Sequence, residues 1–411
     1  MKLLLSTLII VMSFLVSTGQ QKQTMTGIEV LEANGFDILK GKNIGLITNP
    51  TGVNSKLKST VDILHEAKEV KLVALYGPEH GVRGNYSAGD KVGSSVDPKT
   101  GVPVFSLYGK TRKPTKKMLK GVDVLVYDIQ DVGSRSYTFI STMGLAMEAA
   151  AENDIEIVVL DRPNPLGGNR VEGALVEEGY FSFVSQYPVP YIYGLTPGEM
   201  AVYINDKGLL KDQLKCDLHV VKMNNWTRNM TFPETGLPWI PTSPHVPRNT
   251  SAYFYSVTGI IGELDANSIG IGYTLPFEVF ATPWLKGDEL AEKMKQYDLE
   301  GVIFRPISFK PYYMKKKGVE HSGVQIHIAD FEKVNLTEVQ FRLVQAAHEL
   351  VPDSSLFDQN PDRFGMFDKV TGSNKIREIF TQNYRYEDIQ DMWEKPAAIF
   401  SEESKKYHLY K

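Results

Sequence analysis

The chain has 411 residues, 42% hydrophobic and 23% charged, with 45 Lys and Arg against 49 Asp and Glu for a net charge of −4. That is ordinary globular composition, and the mixed charge offers no basic face for nucleic acid. A single core stops growing at roughly 250–300 residues, so the length predicts two domains.

The chain opens with "MKLLLSTLIIVMSFLVSTGQQKQ": Lys2, an apolar run over residues 3–16, then the small residues Ser17, Thr18 and Gly19. A charged start, a short apolar core and small residues predict a signal peptide over residues 1–20. The run falls short of the roughly 20 apolar residues of a membrane span, so none is expected after signal removal. An uncleaved N-terminal anchor is the alternative. No cysteine follows the run, which gives no support to a lipid anchor at the cleavage site. Export to the periplasm or the outside is expected.

From there strands and helices alternate. "KNIGLITNPTG" reads as a strand and "TVDILHEAKEV" as a helix. "VKLVALYGPEHG" and the shorter "VPVFSLYGK" read as strands. "PTKKMLKGV" reads as a short helix with Pro114 near its start. The strand "VDVLVYDIQDVG", the helix "TFISTMGLAMEAAAEND" and the strand "IEIVVLDRPNP" follow. Continuous apolar runs between helices predict an α/β fold: a Rossmann-like, doubly wound parallel sheet, placed over residues 21–245. Cys216, the single cysteine, lies in the strand-like "LKCDLHVVKM" and reads as a buried, inert thiol that forms no internal disulfide.

The proline-rich "FPETGLPWIPTSPHVPRNTSAYF" reads as an ordered crossing. Beyond it, "GDELAEKMKQYD" reads as a helix, and "VIFRPISFKPYY" and "SGVQIHIAD" as strands. "NLTEVQFRLVQAAHEL" reads as an amphipathic helix capped by Asn335, and two C-terminal helices follow. Residues 246–411 are therefore expected to form a second, smaller α+β domain.

Parallel strands end on one edge of their sheet, and ligands bind outside those carboxyl ends. Asn49 follows the first strand, and Glu79 and His80 follow the second, with Arg83 close behind. Asp128, Gln130, Asp131, Arg135 and Tyr137 end or follow the next long strand, and Asp161, Arg162 and Asn164 the one after. A site on this rim is expected. Glycosidic cleavage usually needs two carboxylates, so Glu79 pairs naturally with Asp128 or Asp131, and Tyr137 is an alternative nucleophile or stabiliser. Asp128 reads equally well as a buried aspartate accepting loop amides. The arginines suit an acidic substrate, or else pair with nearby aspartates to fix the loops.

No cofactor is expected, because no G-x-G-x-x-G loop follows the first strand. His80, Asp128, Asp131 and Asp161 could form a mixed metal set, yet no local ligand pair supports it, so no metal is expected.

"YGPEHGVRG", "YDIQDVGSRSYTF" and "VLDRPNPLGG" resemble the motifs of a bacterial family, DUF1343, whose characterised members are exo-β-N-acetylmuramidases of the NamZ type. "IGLITNPTG", "FRPISF", "SGVQIHI", "FDKVTGSNKIRE" and "KKYHLY" extend the resemblance along essentially all of the mature chain. It implies a Rossmann-like domain, a smaller C-terminal domain and a site in the cleft between them. It implies release of N-acetylmuramic acid from the non-reducing end of peptidoglycan fragments, with muropeptides or glycan fragments as partners. Glu79 matches the glutamate of the P-E-H-G motif, and Tyr137 the tyrosine of R-S-Y-T. Asp128, Asp131, Arg135, Asp161, Arg162 and Asn164 match other motif positions. One stretch departs from the family pattern. An E-G-T-N-x-S-x-G-R-G-T-like segment here reads "GELDANSIGIGYTLPFE", keeping Glu263 but losing the arginine. A non-catalytic sugar-binding protein and a metal-dependent hydrolase of an acidic substrate are the competing readings.

Overall fold

The computed structural model describes residues 22–84, 95–313 and 316–411; the expected signal peptide lies outside them. The larger sheet contains β1 (Asn43–Thr48), β2 (Lys71–Gly77), β3 (Ser95–Val96), β4 (Pro103–Ser106), β5 (Val124–Asp128), β6 (Glu156–Leu160) and β7 (Leu218–Val221). Its order is β3-β4-β2-β1-β5-β6-β7, parallel except for the short β3. From β1 the chain winds outward through β2 and β4, then returns to β5 beside β1 and winds the other way. The order therefore reverses between β1 and β5, where such sheets open a crevice.

These strands are apolar along their whole length because both faces are covered. Val124 and Val126 pack with Ile28, Leu31, Val61 and Leu64, from helices Gly27–Ala33 and Thr60–Glu66. Leu125 and Tyr127, one residue out of phase, face the helices Phe139–Glu152 and Pro197–Asp206. Period-two alternation thus feeds two cores, not one core and water.

The second sheet, β8 (Val279–Thr282), β9 (Val302–Phe309) and β10 (His321–Ile328), is antiparallel in the order β8-β10-β9. Helices Ser251–Gly262 and Leu336–Leu350 share its core with the fully buried Trp393. Asn335 caps the second of these, its side chain accepting from the Glu338 amide at 3.1 Å. Cys216 is buried, and burial pushes its thiol up to about 11.

The short helix expected at "PTKKMLKGV" is a set of turns. Gly121 leaves the segment with φ of +80°, and the Met118 carbonyl accepts from the Tyr76 hydroxyl at 2.8 Å. So brief a segment cannot offset helix nucleation when its carbonyl is claimed from outside.

The C-terminus returns to the larger sheet. The Arg228 amide donates to the Lys411 carbonyl at 2.9 Å, and the Leu409 amide to Glu199 Oε1 at 2.8 Å. The Tyr410 hydroxyl donates to Asp161 Oδ2 at 2.5 Å and accepts from the Met223 amide at 2.9 Å. Tyr410→Phe removes a donor from a buried carboxyl and is expected to lower unfolding free energy by about 1–3 kcal/mol, read from urea denaturation.

Candidate active site

β2 delivers the first wall. After Gly77 the chain turns at once, with the Gly81 amide donating to the Pro78 carbonyl at 3.0 Å. His80 and Gly81 both have left-handed backbones, φ 71° and 74°. A histidine held there is strained, a condition that clusters at functional sites. The turn aims the half-buried Glu79 and the mostly buried His80 into a pocket of about 240 Å³. His80 Nδ1 has no hydrogen-bond partner among the described residues.

The Tyr108 hydroxyl, just past β4, lies beside the Glu79 carboxylate. Burial, then that neighbouring carboxylate, push the phenol up to about 12, so it stays protonated. The loop after β5 supplies Ser136 and Tyr137. The Tyr137 hydroxyl donates to Thr242 Oγ1 at 2.7 Å, with Ser243 close by. Tyr137 meets Phe139 and Tyr255 edge-on, at 5.0 and 5.4 Å between ring centres. Burial raises its phenol well above the ordinary value, and the charges of Asp131 and Glu79 add to that. Tyr137 is thus held as a neutral hydroxyl.

The proline-rich crossing closes the pocket with Ser243, His245 and Val246, and the smaller domain adds Tyr255 and Phe277. Burial, then the nearby His80, lower the pKa of His245, which keeps the imidazole neutral at physiological pH. Among the described lining residues Glu79 is the one carboxylate.

The other expected residues lie elsewhere, each with its own work. Asp128 is not a wall of the pocket: it is fully buried and forked to Arg162, whose Nη2 reaches Oδ2 at 2.9 Å, and Thr60 also donates to it. Arg162 spends its remaining reach on the Val53 carbonyl. Asp131 accepts from the Tyr193 hydroxyl and, at 3.0 Å, from the Gly133 amide; burial pushes it up to about 6. Asp161 accepts from Thr196, Gly198 and Tyr410, and burial pushes it up to about 7. Asn49 and Asn164 cap their own loops through Thr51 and Leu166.

The arginines do not converge on a substrate acid. Arg135 is fully buried and donates to the carbonyls of Ala174, Val189 and Val370, tying the two halves of the chain together. Arg83 forks onto Asp97 at 2.9 and 3.0 Å and holds that carboxyl down at about 2. Glu263 pairs with Arg363 at 2.8 Å, outside the pocket lining. A substrate carboxylate would instead meet the neutral His245 imidazole and hydroxyls. Among the described residues no three His, Cys, Asp or Glu side chains come together to hold a metal ion, so the mixed set of His80, Asp128, Asp131 and Asp161 is not assembled.

Tyr108, Ser243, His245 and Tyr255 were not singled out from sequence. Tyr108 was within reach, since it follows a strand end like the others; Ser243, His245 and Tyr255 arrive from distant segments. The crevice at the β1/β5 reversal is also occupied. It is lined by Thr51, Gln130 and Arg162 and covered by Leu237, Pro238 and Trp239, leaving about 20 Å³.

Family models for the N-terminal and C-terminal parts of the exo-beta-N-acetylmuramidase NamZ match residues 44–250 and 253–410. The peptidoglycan beta-N-acetylmuramidase NamZ of Bacillus subtilis (strain 168) is 46% identical over 393 residues, covering 96% of this chain and 93% of that protein. The crystal structure of a DUF1343 family protein from Bacteroides fragilis NCTC 9343 superposes with a TM-score of 0.91 at 56% identity, covering 95% of this chain and 99% of that one. A second DUF1343 family protein from the same strain gives a TM-score of 0.77 at 30% identity, with 95% and 99% covered.

Asp128→Ala leaves Arg162 buried and unpaired, and is expected to lower unfolding free energy by about 3–5 kcal/mol in thermal or urea melts. Tyr108→Phe keeps the fold but removes the hydroxyl beside Glu79; the expected outcome is a fall in kcat/KM of about tenfold with an unchanged melting temperature.

Proposed function

The chain belongs to the NamZ exo-β-N-acetylmuramidase family and is a glycoside hydrolase; we propose that Glu79 is the proton donor with which it releases N-acetylmuramic acid from the non-reducing end of peptidoglycan fragments. The observation that carries this reading is Glu79 itself, the one carboxylate among the described lining residues, in a pocket whose size suits a single amino sugar. A pocket that admits one ring selects chain ends over internal bonds.

Glu79 gives its proton to the glycosidic oxygen as the C1–O bond breaks. Positive charge then builds at C1. Asp128 and Asp131 are held by Arg162 and Tyr193 and do not line the pocket. The group left to meet that charge is the sugar's own 2-acetamido, whose carbonyl oxygen closes on C1 as the leaving group departs. Substrate assistance of this kind replaces the second carboxylate in some glycosidases. Tyr137, whose hydroxyl donates to Thr242, takes the acetamido N–H in this reading. Glu79, now ionised, takes a proton from water as the water attacks C1 and opens the ring. Two displacements give net retention.

The enzyme is placed outside the cytoplasm, in the periplasm or beyond, on the layout of residues 1–20 and the location of peptidoglycan. The division between the two parts is placed at residues 245 and 246, inside the proline-rich crossing.

The test is hydrolysis of a chromogenic aryl β-N-acetylmuramide against the matching N-acetylglucosaminide, with and without EDTA. Cleavage of the muramide alone, resistant to EDTA, is expected, with a loss of about 10²–10⁴ in kcat for Glu79→Gln. Proton NMR of the first-formed product is expected to show the β-anomer. An α-anomer would sink the acetamido route, and an active Glu79→Gln would sink the acid role. N-terminal sequencing of the exported protein is expected to begin near residue 21.

A further inference from the structure

If the pocket takes one sugar, the rest of the glycan lies outside its mouth. We propose that His245, Tyr313, Tyr312 and Tyr273 form the leaving-group subsite, an aromatic ledge on which the sugar rings beyond the cleaved bond stack. This rests on the reading of the pocket given above.

The ledge begins inside the pocket, since His245 lines it. His245 stacks on Tyr313 at 6.1 Å and 18° between ring planes. Tyr313 meets Tyr312 at 5.3 Å, and Tyr312 meets Tyr273 at 6.2 Å. Tyr273 stacks on Phe309 at 4.6 Å, which anchors the far end in the smaller domain. Tyr312 is 54% exposed and Tyr313 38%, so ring surface is left open where a core would have covered it. A contiguous exposed aromatic row beside a pocket marks a binding surface more than chance exposure.

The row is held in place by backbone. The Tyr312 amide donates to the Gly272 carbonyl at 2.9 Å, and the Gly318 amide to the Pro311 carbonyl at 2.7 Å. Gly272 has φ of +92°, and a side chain there would put its Cβ 2.5 Å from the Tyr313 carbonyl oxygen. Gly272 and Tyr273 belong to residues 262–278, the stretch that departs from the family pattern. The stretch therefore contributes Tyr273 to the ledge.

Sugar rings are the occupant the chemistry favours. A pyranose has one face of C–H bonds and a rim of hydroxyls. A tyrosine matches it with an apolar ring and a polar tip. The steps from ring to ring follow one another away from the pocket, as consecutive sugars do.

The experiment compares two peptide-free substrates. One is the methyl β-glycoside of N-acetylmuramic acid, whose leaving group is too small to reach the ledge. The other is a tetrasaccharide with N-acetylmuramic acid at its non-reducing end. For the double variant Tyr312→Ala, Tyr313→Ala, kcat/KM on the tetrasaccharide is expected to fall about tenfold, while the methyl glycoside stays within about twofold. The double variant Tyr312→Phe, Tyr313→Phe keeps the rings and is expected to keep the tetrasaccharide activity. An equal loss on both substrates would assign the rings to structure. No loss on the tetrasaccharide, or a loss seen only when stem peptide is attached, would overturn the sugar ledge. Wild-type enzyme that cleaves neither substrate would instead overturn the activity assigned to the pocket, and the ledge with it.

Discussion

The buried fork between Asp128 and Arg162 holds together the edge of the sheet on which everything else is built. Asp128 ends β5, Arg162 follows β6, and the same carboxylate takes the hydroxyl of Thr60 at the start of a helix that follows β1. Two strand ends and the start of a helix are thereby fixed around one charge pair. Two ions in a dry interior are tolerable only when they are well hydrogen-bonded, and here both Asp128 oxygens and the Nε and Nη2 of Arg162 have partners. The pair lies beneath the crevice where a doubly wound sheet would otherwise receive a nucleotide. With Trp239 and its proline neighbours laid over that crevice, the chemistry moves sideways to the end of β2.

That displacement shapes the chemistry. Among the described lining residues the pocket holds one acid, Glu79, which follows β2. Tyr137 and Tyr108 are held as phenols by burial, and His245 as an uncharged imidazole. The arginines that would suit an acidic substrate are consumed by the fold. Arg135 in particular serves carbonyls from both halves of the chain, Val370 among them, and so keeps the walls of the pocket in register.

The two halves are linked again by the C-terminal segment, which lays Tyr410 and the Lys411 carbonyl onto the larger sheet. Phe277 and Tyr255 come to the pocket from the smaller half, and the tyrosine row leaves it across the same half. The division of labour follows: the parallel sheet places the reacting groups, and the smaller half shapes what lies around them.

The sequence by itself determined the winding of the sheet, the rim on which the site sits, and the identity of Glu79, His80 and Tyr137 as residues of that rim. It could do so because strand period, apolar runs and strand-end position are local properties of the chain. Which polar residues on that rim are free to act was decided by tertiary structure alone. Asp128, Asp131, Asp161 and Arg135 read on paper like Glu79, and their partners from distant segments (Arg162, Tyr193, Tyr410 and the carbonyl of Val370) are what set them apart from the pocket lining. His245 and Tyr313 likewise meet across a large gap in sequence, so their stack could not be read from either segment. Burial and pairing are sums over the whole folded chain. A residue's type and spacing fix what it could do, and its neighbours in space fix whether it is left to do it.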